Sequence, residues 1–156
     1  MIFKILNTNE EVDISKFIRD YLILYDNSKI YIGCDSQNRK NKTIYATVIV
    51  LHNNKGGRVL YNKDIVPKIK DNFTKLWNEA EHSLKTAQYL LDLGLPKADF
   101  IDLDFNPDPK YKSNNVLLSA VGYIKSLGYE TRVKPHALSA SYAADKICKN
   151  TRRKYV

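Results

Sequence analysis

Three β-type runs follow one another between residues 29 and 67 with only short polar turns between them, and no other feature of the chain narrows its fold as far. The first, 29–34, reads Lys-Ile-Tyr-Ile-Gly-Cys and leads into Asp35-Ser36-Gln37-Asn38. An apolar, β-branched run of this length bounded by turn formers is the pattern of a buried strand. The second run, 43–52, is dense in β-branched residues and tyrosine; Asn53-Asn54-Lys55-Gly56-Gly57 then supplies a glycine-rich hairpin turn, 58–66 returns, and Pro67 closes the unit. The expectation is an antiparallel meander whose first strand ends at a carboxylate, Asp35. Ligands of α/β sheets sit at strand ends, although Asp and Ser also begin ordinary turns by bonding their own backbone. The rest of the chain decides between the two.

Ahead of the meander, Ile14, Phe17, Ile18, Tyr21, Leu22 and Tyr25 recur at helical spacing, which predicts an amphipathic helix over 12–25. Thr8 with Glu11 three residues later has the form of a capping box, and Asp13 is a second candidate cap. Residues 1–28 are read as a helical extension. After the meander comes a long helix, 72–93, with Phe73, Leu76, Trp77, Ala80, Leu84, Ala87 and Leu91 in one stripe and Gly94 as its stop. Residues 98–105 alternate as a strand, which puts Asp102 and Asp104 on one face with Phe100, and Leu103 with Phe105 on the other. Ser113 caps a further helix, carrying Val116, Leu117, Ala120, Val121, Ile124 and Leu127 and stopping at Gly128. A fifth strand, 129–134, an alanine-rich last helix, 138–149, and a basic tail, 150–156, complete the chain. The predicted class is α/β: a mixed five-stranded sheet flanked by helices, with an extra N-terminal helix. Its 156 residues, without repeat or linker, suit a single domain.

Twenty-five Lys and Arg against 17 Asp and Glu give a net charge of +8, which favours polyanionic partners. No stretch approaches the roughly eighteen uninterrupted apolar residues of a membrane span, and no charged-then-apolar leader opens the chain, so a cytoplasmic protein that does not enter a membrane is expected. Cys34 and Cys148 lack metal-type spacing and read as small buried apolar residues.

Carboxylates recur on four elements: Asp35 on the first meander strand, Glu79 and Glu81 on opposite borders of the long helix's stripe, Asp102 and Asp104 on the fourth strand, and Asp145 in the last helix. Their order and that of the elements resemble the ribonuclease H fold. Within it the chain is most similar to the YkuK family of ribonuclease H-like proteins. The likeness is carried by Ile32-Gly33-Cys34-Asp35-Ser36-Gln37, Glu81-His82-Ser83-Leu84, Leu103-Asp104-Phe105-Asn106-Pro107, Lys110-Tyr111-Lys112-Ser113-Asn114, Lys134-Pro135 and Ala140-Ser141 with Ala144-Asp145. It implies that acids from the four elements converge on divalent metal. Phosphodiester hydrolysis needs an activated water and a stabilised leaving oxygen, and two Mg²⁺ ions about 3.5–4 Å apart provide both. Hard ions of this kind take carboxylate and water oxygens; without them, clustered acids raise one another's pKa values. The expected cofactor is therefore Mg²⁺ or Mn²⁺, as two ions.

The resemblance implies Asp35 as the ligand shared by both ions, Asp104 beside it, and Asp145 on the second ion. Glu81 is the implied third ligand because it opens the family pattern, while helical geometry hardly separates it from Glu79. Asp102, where relatives often carry histidine, is an additional ligand, a substitute for Asp104, or a solvent-facing acid. Lys110, Lys112, Lys134 and the run Arg152-Arg153-Lys154 are candidate phosphate contacts, Tyr111 a candidate base-stacking ring, and Ser36, Gln37 and Asn106 candidate donors behind the ligands. The reading is a metal-dependent nuclease acting on RNA or DNA with water as nucleophile. A non-cleaving nucleic-acid-binding module of the same fold is the alternative, and the filled acid positions favour the enzyme. Substrate type and oligomeric state are not specified by these residues.

Overall fold

The structure, a computed structural model, describes residues 1–106, 108–111, 113–133, 143, 144, 147 and 148. Two short strands, β1 (Phe3–Ile5) and β2 (Glu11–Val12), precede α1 (Ile14–Leu24); β3 (Lys29–Arg39), β4 (Lys42–Asn53) and β5 (Gly56–Pro67) form the meander; and α2 (Asn72–Asp92), β6 (Phe100–Leu103), α3 (Ser113–Ser126) and β7 (Thr131–Val133) follow in alternation. The strands form one mixed seven-stranded sheet, in the order β2-β1-β5-β4-β3-β6-β7. The meander is antiparallel, and β6 and β7 join it in parallel beside β3.

The sheet has two strands more than the five expected. Both lie in the segment read as a helical extension, where β1 pairs with β5 through Lys4↔Tyr61 and Ile5↔Leu60, and β2 pairs with β1. Strands of three and two residues are too short to show a period of two, which is why the pattern did not reveal them. Glu11 is consequently a strand residue, ion-paired with Lys4 at 3.4 Å, and not half of a capping box. Asp13 caps α1 instead, accepting from the Lys16 amide at 3.1 Å.

A second correction concerns the first meander strand. Asp35-Ser36-Gln37-Asn38 is not a turn, because the ladder with β4 continues through Asp35↔Ala46 to Arg39↔Lys42. The β-branched run opposite offers these residues cross-strand partners, which outweighs their turn tendency. The chain reverses at Lys40, whose φ of 49° is left-handed. At the other hairpin the glycines are needed: Gly56 has φ 133°, and a Cβ on Gly57 would lie 2.6 Å from the Leu51 carbonyl oxygen.

Helices cover one face of the sheet. Ile18 of α1, Ala80, Ala87 and Leu90 of α2 and Ile124 of α3 bury Ile30, Ile32, Ile49, Leu51 and Ile101. Asp71 caps α2 by accepting from the Thr74 amide at 2.8 Å, and Gly94, with φ 70°, ends it. On the other face, Ala46, Val48 and Val50 of β4 pack against Ala144, Ile147 and Cys148. Those last residues are helical, as the predicted final helix requires.

Candidate active site

The register of the parallel strands locates two acids. β3 and β6 share the pairs Tyr31↔Phe100, Ile32↔Ile101 and Gly33↔Asp102. Asp35 and Asp104 each lie two residues beyond the last pair, so one register carries both just past the end of the β3–β6 pairing, Asp35 within β3 and Asp104 beyond β6. There β6 leaves the sheet while β3 continues in its hairpin with β4. Both residues are half-buried. The place where a parallel pair ends is where α/β sheets commonly bind ligands.

A third acid comes from α2. Strand alternation turns Ser36 towards the helix face, and its hydroxyl donates to Glu79 Oε1 at 2.5 Å. Glu79 is 3% exposed, held under the helix by the packing of Ala80, Leu84, Ala87 and Leu90. Burial first, then the neighbouring charges of Asp35 and Asp104, push its carboxyl up to about 8, while the Ser36 hydrogen bond and the Lys75 charge oppose the rise. Glu79 therefore lies within the fields of both strand-end acids.

The two cysteines flank the same place. Cys148 Sγ donates to the Asp35 carbonyl at 3.4 Å, which brings the terminal helical residues against β3. Burial pushes both thiols up. Among the described residues, no group of three His, Cys, Asp or Glu side chains is arranged to hold a metal ion.

A family model described as ribonuclease H-like matches residues 12–149. The chain belongs to the ribonuclease H-like family. Solved structures similar to it include the N-terminal RNase H domain of a Mycobacterium tuberculosis protein, fused to maltose-binding protein, at 14% identity and TM-score 0.43 over 83% of this chain and 100% of that one. RNase H1 of the halophilic archaeon Halobacterium salinarum is similar at 18% identity and TM-score 0.42, over 78% of this chain and 98% of that one. No curated protein matches significantly.

In this ribonuclease H-like chain the remaining predicted residues lie elsewhere or make other contacts. Glu81 pairs with Lys85 at 3.7 Å along α2, because two helical positions turn it about 200° from Glu79. Asp102 is not solvent-facing. It is 1% exposed and takes a bidentate ion pair from Arg132 of β7, 2.8 Å to each oxygen. The Arg132 guanidinium also lies 4.1 Å from the Tyr31 ring centre and 5.0 Å from that of Phe100. The sequence reading missed Arg132; its only signal was its place in a strand adjoining that of Asp102.

Gln37 Oε1 accepts from Arg39 at 2.7 Å, and Asn106 Oδ1 accepts from the Asp108 amide at 3.0 Å. Lys110 pairs with Asp108 at 3.1 Å and lies 5.1 Å from the centre of the Tyr111 ring, which is exposed. Lys112, Lys134, Asp145 and the run Arg152-Arg153-Lys154 lie outside the described residues.

Proposed function

We propose that this chain is a metal-dependent nuclease that hydrolyses phosphodiester bonds in RNA or DNA, using two Mg²⁺ or Mn²⁺ ions. The observation that carries the reading is the burial of Glu79 against Ser36 within the fields of Asp35 and Asp104. The resemblance to the YkuK family points the same way. Acids close enough to raise one another's pKa, one of them buried, are costly unless a cation offsets them, and their oxygens suit a hard divalent ion. Asp35, Glu79 and Asp104, with Asp145 as the fourth acid, are the residues that would have to close around it, since no three described side chains are already arranged to hold a metal.

When bound, such ions supply positive charge for the leaving oxygen and lower the pKa of the attacking water. The protein supplies position. Ser36 fixes Glu79 through Oε1, and the shared register of β3 and β6 fixes the spacing of Asp35 and Asp104. Glu79 holds a proton below about pH 8 and must release it to act as a donor. Ion affinity and activity therefore rise with pH towards that value. Lys110 and Tyr111 stand ready to contact the phosphate chain and a base.

The test is cleavage of end-labelled RNA–DNA hybrid, single strands and a four-way junction in Mg²⁺, Mn²⁺ or EDTA. The wild type cuts at least one substrate only with metal, and Asp35→Asn, which removes a charge but little volume, does not. Metal-dependent cutting by that variant at the wild-type rate would refute the site. Tight, salt-sensitive binding without cutting in any metal would identify a non-cleaving module instead.

A further inference from the structure

On the flank of α2 and α3 lies a set of rings that the acid cluster does not use. Phe73, in the first turn of α2, stacks on Trp77 with centroids 6.3 Å apart and planes 5° from parallel. Trp77 in turn stacks on Tyr123 of α3, at 5.6 Å and 25°. The ladder is not sealed into the core: Phe73 is 50% and Tyr123 43% exposed. Its surroundings suit a polyanion. No acid occurs between Asp71 and Glu79 or anywhere in α3, while exposed Lys68 and Lys70 precede Phe73 and exposed Lys125 follows Tyr123. Beside Tyr123, a Cβ added at Gly122 would meet nothing within 4 Å. A glycine within a helix weakens it, and among the described residues no close packing requires this one.

We propose that Phe73, Trp77 and Tyr123 form a stacking platform for unpaired bases of a single-stranded nucleic acid whose phosphates lie against the flanking lysines. The inference rests on the nuclease reading and adds a substrate class to it. Flat rings stack on splayed bases of any sequence, whereas bases within a duplex already stack on one another and offer only their edges. Phe73 precedes Glu79 by six residues, about 9 Å along the helix axis and about 240° around it, so a strand held on the platform reaches the acids only by passing round α2.

The chain has a single tryptophan, Trp77, whose fluorescence reports directly on the ladder. In EDTA at low salt, an unlabelled oligothymidylate is expected to quench it, and heparin, a polyanion without bases, is expected to leave it unchanged. By anisotropy of the fluorescein-labelled oligomer, Phe73→Leu binds roughly five- to a hundredfold more weakly, while Phe73→Tyr retains wild-type affinity. Circular dichroism of both variants matches that of the wild type, as half-exposure of Phe73 requires. Binding of the oligomer with unaltered fluorescence and full affinity in Phe73→Leu would overturn the platform and leave the nuclease reading intact. Quenching by heparin equal to that by the oligomer would also overturn it. Absence of oligomer binding would overturn it as well, with hybrid cleavage deciding the nuclease reading separately.

Discussion

Glu79 and Glu81 stand two positions apart on α2 and have opposite surroundings. The helical stripe put both on its borders, and the sequence pattern favoured Glu81; what separates them is the partner each border meets. Ser36 and the sheet meet Glu79, whereas Lys85 and solvent meet Glu81. Which border of a helix faces a sheet depends on its docking, and a periodicity does not contain that. The burial of Glu79 has a consequence for stability. Its carboxyl titrates near 8 in the folded protein against an ordinary value of 4.5, so between those values the native state keeps a proton that the unfolded chain has lost. Stability falls as pH rises through that window, and the full penalty applies above about pH 8. A tenfold difference in proton affinity corresponds to about 1.4 kcal/mol, so the penalty is on the order of a few kcal/mol. Glu79→Gln keeps an acceptor for Ser36 and cannot ionise. In EDTA it is expected to match the wild type near pH 4.5 and to melt progressively higher than it towards pH 8 and above. A constant difference across that range, followed by thermal unfolding, would show that Glu79 is not the strained group.

At the scale of elements, β7 has three residues and pairs only with β6 among the described strands, and the Arg132–Asp102 ion pair adds to their backbone ladder. Asp102 is wholly buried at its side chain, so removing Arg132 takes a bidentate ion pair away from a buried charge. Arg132→Met is predicted to cost roughly 3–5 kcal/mol, read as a lower midpoint in urea unfolding. An unchanged midpoint would mean that the pair contributes little to holding β7. Elements were legible where they were long. The meander, α1, α2 and α3 follow from runs and stripes of about ten residues or more, with a cap at Asp13 and stops at Gly94 and Gly128; the Asp71 cap of α2 came only from the structure. They were illegible where partners decide, as in β1 and β2, or in the continuation of β3 past Asp35, which depends on the strand opposite.

For the whole molecule, the order of runs and stripes along the chain already contained the alternating α/β plan, whereas the alignment of Asp35 with Asp104 comes from the β3–β6 register that pairs Gly33 with Asp102, which no sequence pattern contained. The arrangement joins these acids to a buried glutamate at one end of the sheet, with the α2–α3 ladder on its flank, in a chain of net charge +8. Family membership and geometry together make metal-dependent phosphodiester hydrolysis the central claim. Its most direct test is the rate of Mn²⁺-dependent cleavage of RNA–DNA hybrid and single strands by Glu79→Gln and Glu81→Gln side by side. Glu79→Gln is predicted to lose about a hundredfold or more, and Glu81→Gln to cut like the wild type. An active Glu79→Gln beside an inactive Glu81→Gln would contradict the account.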